Sequence, residues 1–336
     1  MLMQNLVMGC MFASVLIMLV FASSPQVYAQ GGVKLPPIEV ILQRSEDSID
    51  VGLACLSLAE EFYPGLNANS LLSSFSEFAR RFDTYFGHST DPEEKVRALN
   101  TFLYRKGPWN DSVVFVYDRS DPGAHKRDNR FINGYIARRK GSCVTMPMLY
   151  VILGERLRMP IFAVRAPNHF FVRYLPKEIP SGWQANIEAT SGGGYSSDEE
   201  YTVDMKIPKT GITRGMYLRT LTKKEYLASL LLINVAEYIA RKDFDKAERY
   251  ADLALRYDST LATGVWARGL VHYHRAISLE EKSDRGDRLA QIDKHRKLWE
   301  ESKARAKAMG MALIPPEKTV KKKTQVPTSF HREGDN

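Results

Sequence analysis

Three side chains whose types suit one reaction stand in chain order: Cys143, His169 and Glu188. A thiolate attacks a carbonyl carbon. An imidazole takes and returns the proton, and a carboxylate orients the ring and stabilises its charged form. Cys143 follows Arg138-Arg139-Lys140-Gly141-Ser142 and opens an apolar stretch that runs to Leu157. A helix amino terminus favours an anion, and the neighbouring cations are expected to favour a thiolate in the same way. Gly141 lets the backbone approach closely before that helix. The Cys143 amide is a candidate oxyanion donor, with no second donor identifiable. Pro147 cannot donate to the Cys143 carbonyl, which predicts a helix that starts late or bends. Each residue alone also fits a packing or surface role, since free cysteine is among the most buried types. Their order and setting join them.

The elements that must position these residues are legible as a sequence of patterns. His169 begins a strand after the turn Ala166-Pro167-Asn168, so His169, Phe171 and Arg173 share one face, with Phe170 and Val172 on the other. Pro160 to Arg165 and His169 to Leu175 form consecutive strands, and Trp183 to Ala189 a third, ended by Gly192-Gly193-Gly194. Glu188 lies nineteen residues after His169, so antiparallel neighbours bring the two together. Ahead of this sheet, helices are predicted from Ser45 to Glu61, from Ala68 to Tyr85, and from Ser89 through Leu103, the last with Pro92 and two acids in its first turn. Asn110 to Asp128 is a polar loop with one short strand, Val113 to Tyr117. Helices followed by consecutive strands give an α+β domain with a small antiparallel sheet.

This pattern resembles the transglutaminase-like superfamily, and more narrowly bacterial transglutaminase-like proteins of the SirB type. The marks are Arg139-Lys140-Gly141-Ser142-Cys143, Leu149-Tyr150, Glu155-Arg156-Leu157, Pro167-Asn168-His169-Phe170-Phe171-Val172-Arg173 and Asn186-Ile187-Glu188. The resemblance implies a papain-like core with Cys143 as nucleophile, His169 as base and Glu188 as orienting acid. The acid position is commonly Asp in the superfamily, and Glu is one methylene longer. It implies an acyl-transfer or hydrolytic enzyme acting on a peptide or isopeptide amide, with no cofactor and no metal. The alternative is a non-catalytic envelope scaffold in which the triad is a remnant and C-terminal helices hold a protein partner.

The rest of the chain supplies context. Residues 1–29 carry no charged side chain, and Val27 and Ala29 sit at −3 and −1 of a signal-peptidase site before Gln30. Export to the periplasm or beyond is the expectation, with an uncleaved membrane anchor as the alternative. Of the three cysteines, Cys10 lies in this leader, which leaves Cys55 and Cys143 either free or joined by a disulfide. Residues 30–43 are assigned as a linker, 44–128 as the helical part of the core and 129–215 as the catalytic core. Residues 221–282 fit tetratricopeptide-like helices: Tyr238, Ala247 and Ala254 occupy packing positions, and Gly269 falls where two helices cross closely. Residues 283–314 form a charged helix, and 315–336, with Lys321-Lys322-Lys323, a disordered basic tail. The formal charge is +8, from 47 basic and 39 acidic residues, which suits an anionic membrane surface or envelope polymer as partner. No phosphate-binding glycine loop ending in Lys-Ser or Lys-Thr occurs, and export is expected to remove most nucleic-acid partners. His272 and His274 are two apart on a helix, on different faces, so they make a poor metal pair.

Overall fold

The computed structural model describes residues 34–281 and 288–312. The leader and the basic tail lie outside the described residues. The linker assignment changes where it can be seen. Ile38–Leu42 is a helix (α1) that buries Ile38, Ile41 and Leu42, and Leu35 is buried just before it. Spacing of three and four puts these apolar groups on one face, and Pro37 sits where a helix entry tolerates it. The Ser57 hydroxyl donates to the Pro36 carbonyl at 2.9 Å and fastens the segment down.

Next come α2 (Val51–Glu60), α3 (Ala68–Phe86) and α4 (Pro92–Tyr104). α2 is shorter than the 45–61 expectation because Asp50 caps it, accepting the Leu53 amide at 2.8 Å. Cys55 is buried on α2, and both Cys55 and Cys143 are free thiols, so the disulfide alternative is not present. A two-residue strand, β1 (Val116–Tyr117), pairs in parallel with β2 (Lys140–Gly141), and α5 (Ile132–Arg138) lies between them in the chain. α6 (Thr145–Arg156) is buried all round over its first ten residues, as its unbroken apolar sequence requires.

The main sheet is antiparallel in the order β3 (Ile161–Ala166), β4 (His169–Tyr174) and β5 (Asn186–Ile187). β5 is only the middle of the expected 183–189 strand, pairing Val172 with Ile187 and Arg173 with Asn186. Short helices α7 (Asp198–Asp204) and α8 (Lys209–Thr213) follow. Then come α9 (Lys223–Ala240), α10 (Phe244–Tyr257), α11 (Ala262–Glu280) and α12 (Leu289–Ala308). A β-carbon on Gly269 would lie 2.5 Å from Ser302 Cβ, so the close approach at this glycine is to α12, outside the 221–282 stretch.

α9 ties the C-terminal helices to the front half. It is buried from Tyr226 to Val235, and the Asn234 amide donates to the Leu58 carbonyl of α2 at 3.0 Å. One apolar core runs from α1 through α6 and the sheet into α9, α10 and α11. A second core gathers Phe171, Tyr201 and Tyr217 with Ala262, Val265 and Ala306 of the last two helices. No helix among the described residues is long and apolar enough to cross a membrane.

Candidate active site

The β3–β4 hairpin delivers the histidine. Ala166 pairs with His169 across the two-residue turn Pro167-Asn168, and Asn168 takes a left-handed φ of 53°. Proline at the first corner and asparagine at the second suit a turn that needs positive φ at its second corner. The turn reaches Cys143, whose Sγ donates to the Asn168 carbonyl at 3.7 Å.

Cys143 itself sits in a turn two residues before α6 begins at Thr145. Pro147 therefore falls in the first turn, where its missing N–H costs no intrahelical bond. The turn is bound tightly from within. Ser142 N donates to Thr145 Oγ1 at 3.0 Å and Val144 N to Ser142 Oγ at 3.0 Å. The Cys143 amide has no acceptor among the described residues, which leaves it available to an oxyanion. Gly141 is needed for closeness: a β-carbon there would meet the Tyr135 ring at 2.5 Å and Thr145 Oγ1 at 2.6 Å.

The two arginines before Cys143 do not attend it. The Arg139 guanidinium lies 4.3 Å from the Phe115 ring and 4.9 Å from Phe78. Arg138 turns to Asn129 at 2.6 Å and to Asp118 at 3.7 Å. Their work is structural. Asn129 is fully buried, accepts the Ser142 hydroxyl on its carbonyl at 2.6 Å, and donates to Asp118 and Asp121. Arg127 and Arg130, on either side of it, bind Glu237 of α9 at 2.8 and 3.0 Å.

Opposite the thiol, His169 Nε2 lies 2.6 Å from Glu188 Oε2, and both side chains are 12% exposed. With Nε2 engaged, Nδ1 is the nitrogen left to serve Cys143. Burial pulls the imidazole down. The Glu188 charge, then hydrogen bonds to Cys143 and Glu188, outweigh it and hold His169 above the ordinary imidazole range. Burial pushes the Glu188 carboxyl up, but the His169 charge and hydrogen bonds from His169, Thr190 and Tyr201 keep it well below the ordinary carboxylate range. Glu188 is thus kept ready to stabilise the charge that His169 gains when it takes a proton.

Glu188 is more constrained than its sequence position suggested. Its Oε1 accepts Thr190 N at 2.9 Å and Thr190 Oγ1 at 2.6 Å, and its Oε2 accepts the Tyr201 hydroxyl at 2.6 Å. Tyr201 stacks on Phe171 with ring centroids 4.1 Å apart. The loop after Glu188 is pinned by the Asn100 amide to the Gly193 carbonyl and the Tyr104 hydroxyl to the Ala189 carbonyl. Asn100 in turn accepts the Tyr150 hydroxyl at 2.7 Å. Gly193, at φ 82°, has no room for a side chain, since a β-carbon would lie 2.2 Å from Asn100.

Thr190, Tyr201 and Asn100 were not found by sequence reading. A threonine two residues after an acid is a local turn signal. Tyr201 follows a capping box, Ser197 to Glu200, which announces its helix but not the sheet it packs on.

The family model of the transglutaminase-like superfamily matches residues 69–229. This stretch is a transglutaminase-like domain. It runs from α3 into the first turns of α9 and takes in the whole Cys143–Glu188 region. A UPF0162 protein of Xylella fastidiosa strain Temecula1 is 22% identical over 254 residues, covering 70% of this chain and 83% of the relative. A UPF0162 protein of strain 9a5c is 22% identical over 242 residues, covering 68% and 78%. No solved structure gives a significant match. Among the described residues no cluster of three metal-ligating side chains occurs near the transglutaminase-like domain or elsewhere. His272 faces His295 of α12 rather than His274, with the Nδ1 atoms 3.3 Å apart.

Proposed function

We propose that the protein is a cysteine-dependent acyl-transfer enzyme that cleaves a peptide or isopeptide amide through Cys143, His169 and Glu188. The observation that carries this is the buried 2.6 Å hydrogen bond between Glu188 and His169, the latter on a hairpin whose turn contacts the Cys143 thiol. His169 takes the thiol proton as Sγ bonds to the substrate carbonyl carbon. The carbonyl oxygen becomes an oxyanion facing the Cys143 amide. The C–N bond breaks as the imidazolium returns the proton to the leaving amine, leaving a thioester. Water, or a second amine, then loses a proton to His169 as it attacks the thioester, and the thiol is regenerated. Glu188 stabilises the imidazolium throughout. The test is acylation of the full chain by p-nitrophenyl acetate, with the acetylated residue located by mass spectrometry. Acetylation equal in the parent and Cys143→Ala sinks the nucleophile assignment.

His169 does most to keep Glu188 ionised, and hydrogen bonds from Thr190 and Tyr201 add to it. Tyr201→Phe retains the stack on Phe171 and removes one donor from Oε2. A hydrogen bond to a charged group contributes about 1.5–3 kcal/mol, or roughly 1–2 pH units. Glu188 then gains its proton at higher pH, because the lost donor favoured the charged form. The acid limb of the acylation profile is expected to rise by about one unit. A lower rate with an unmoved limb would assign Tyr201 a packing role alone.

We further infer export from the uncharged leader of residues 1–29. Protein recovered from the envelope fraction is expected to begin at Gln30. A chain that retains Met1 and sediments with membranes would favour the anchor, and one that remains in the cytoplasm would overturn export.

A further inference from the structure

α12 is held on α11 by aromatic packing and by a pair of imidazoles. Trp299 of α12 meets Trp266 with ring centroids 4.8 Å apart and Tyr273 at 5.6 Å. One turn before Trp299, His295 lies against His272 of α11, with the Nδ1 atoms 3.3 Å apart. His272 is 4% exposed, so water cannot take over that contact. A hydrogen bond between two ring nitrogens needs one hydrogen: one Nδ1 donates and the other accepts. The first proton added to the pair goes to Nε2 of the donating ring and leaves the bond intact. The second can go only to the accepting Nδ1. It sets two N–H groups face to face with a positive charge on each ring. Glu248 of α10 lies 3.7 Å from His272 Nε2, but Arg275 of α11 already holds it at 3.0 Å. Arg268 of α11 and Lys294 of α12 bring further positive charge to the pair. Burial lowers both imidazoles; Glu248 opposes this, and the surrounding cations add to it.

We propose that His272 and His295 form an acid-operated latch: α12 stays on α11 while the pair carries at most one added proton, and comes away when both rings are charged. Released, each ring titrates near the ordinary value of about 6.5. Latched, the pair refuses the second proton. The released form therefore holds more protons in acid. Its population grows about tenfold for each pH unit below about 6, until the latched pair itself titrates. The change reaches beyond α12. Ala306 of α12 belongs to the second core with Phe171 and Tyr201, and just past the helix Ala312 N donates to the Tyr217 hydroxyl at 3.1 Å. Release withdraws packing from behind the hydroxyl that serves Glu188. That consequence for catalysis rests on the proposed triad; the release of α12 does not.

The experiment is hydrogen exchange of the full chain, read by mass spectrometry between pH 7 and pH 5 and corrected for the intrinsic exchange rate at each pH. In the parent, protection of α12 is expected to fall at least about tenfold between pH 6 and pH 5. α6, in the main core, is expected to keep its protection over the same range. His295→Asn places a neutral amide where Nδ1 stood, so α12 is expected to stay protected from pH 7 to pH 5. His272→Asn is expected to give the same level profile from the other side of the contact. His295 is the more exposed of the two, so its variant reports even where the buried substitution fails to fold. Parent protection that stays level down to pH 5, an equal fall in His295→Asn, or a fall of α6 in step with α12 overturns the proposal.

Discussion

His169→Asn is expected to slow acetylation of Cys143 by p-nitrophenyl acetate by roughly 10²–10⁴-fold at neutral pH, the range a positioned general base contributes. That corresponds to about 3–5 kcal/mol of barrier. Asparagine preserves a polar side chain near Glu188 but cannot take the thiol proton. Deacetylation is expected to slow as well, because the same ring must deprotonate the incoming water. Glu188→Gln keeps the shape of the acid and removes its charge, so the imidazolium loses the partner now 2.6 Å away. A loss of at least about tenfold is expected, smaller than for His169→Asn. Parent-like acetylation in His169→Asn, with circular dichroism unchanged, would mean that Cys143 reacts unaided and that the His169–Glu188 hydrogen bond beside it is structural.

What made this site legible in the sequence was local. A cysteine after Gly141-Ser142, a histidine straight after Pro167-Asn168 and an acid nineteen residues further on each depend on turn chemistry and strand alternation, and both operate over a few residues. The helices of the front half were legible for the same reason. α1 was not, because Pro36-Pro37 suggested a linker and only the surface of α2 reveals the apolar face opposite it. The cations were misjudged because proximity in sequence is not proximity in space. Arg138 and Arg139 spend their charge on a buried polar loop and two aromatic rings. Tyr201 was invisible because its partner Glu188 is reached only after α7 folds back across β4.

These longer-range supports share a direction. Glu237 of α9 holds the arginines flanking Asn129, which carries Ser142 and so the Cys143 turn. The second core, built partly from α11 and α12, packs behind Phe171 and Tyr201 and so behind Glu188. Both arms of the candidate site are therefore braced by the C-terminal helices, and an isolated transglutaminase-like domain ending at residue 229 would lose both braces.

A more deeply buried joint to the same helices gives the largest expected effect on stability. Arg165 of β3 and Asp258 at the end of α10 have side chains 4% and 1% exposed and meet at 2.9 Å. Arg165 also donates to Ser229 Oγ at 2.7 Å and to the Met216 carbonyl at 2.8 Å, yet its Nη2 has no partner. Asp258→Ala leaves a buried guanidinium without its counter-charge and is expected to destabilise the fold by about 3–5 kcal/mol. That is a large part of the roughly 5–15 kcal/mol that holds a typical protein together. Arg165→Met is expected to cost less, because Asp258 keeps the Thr260 amide at 2.9 Å, the Thr260 hydroxyl at 2.6 Å and Arg219 at 4.0 Å. The double variant Arg165→Met/Asp258→Leu removes both charges and is expected to be more stable than Asp258→Ala alone. Urea unfolding of the four proteins ranks them. If Asp258→Ala unfolds at the parent's midpoint, the ion pair is dispensable and β3 is held to the C-terminal helices by apolar packing alone.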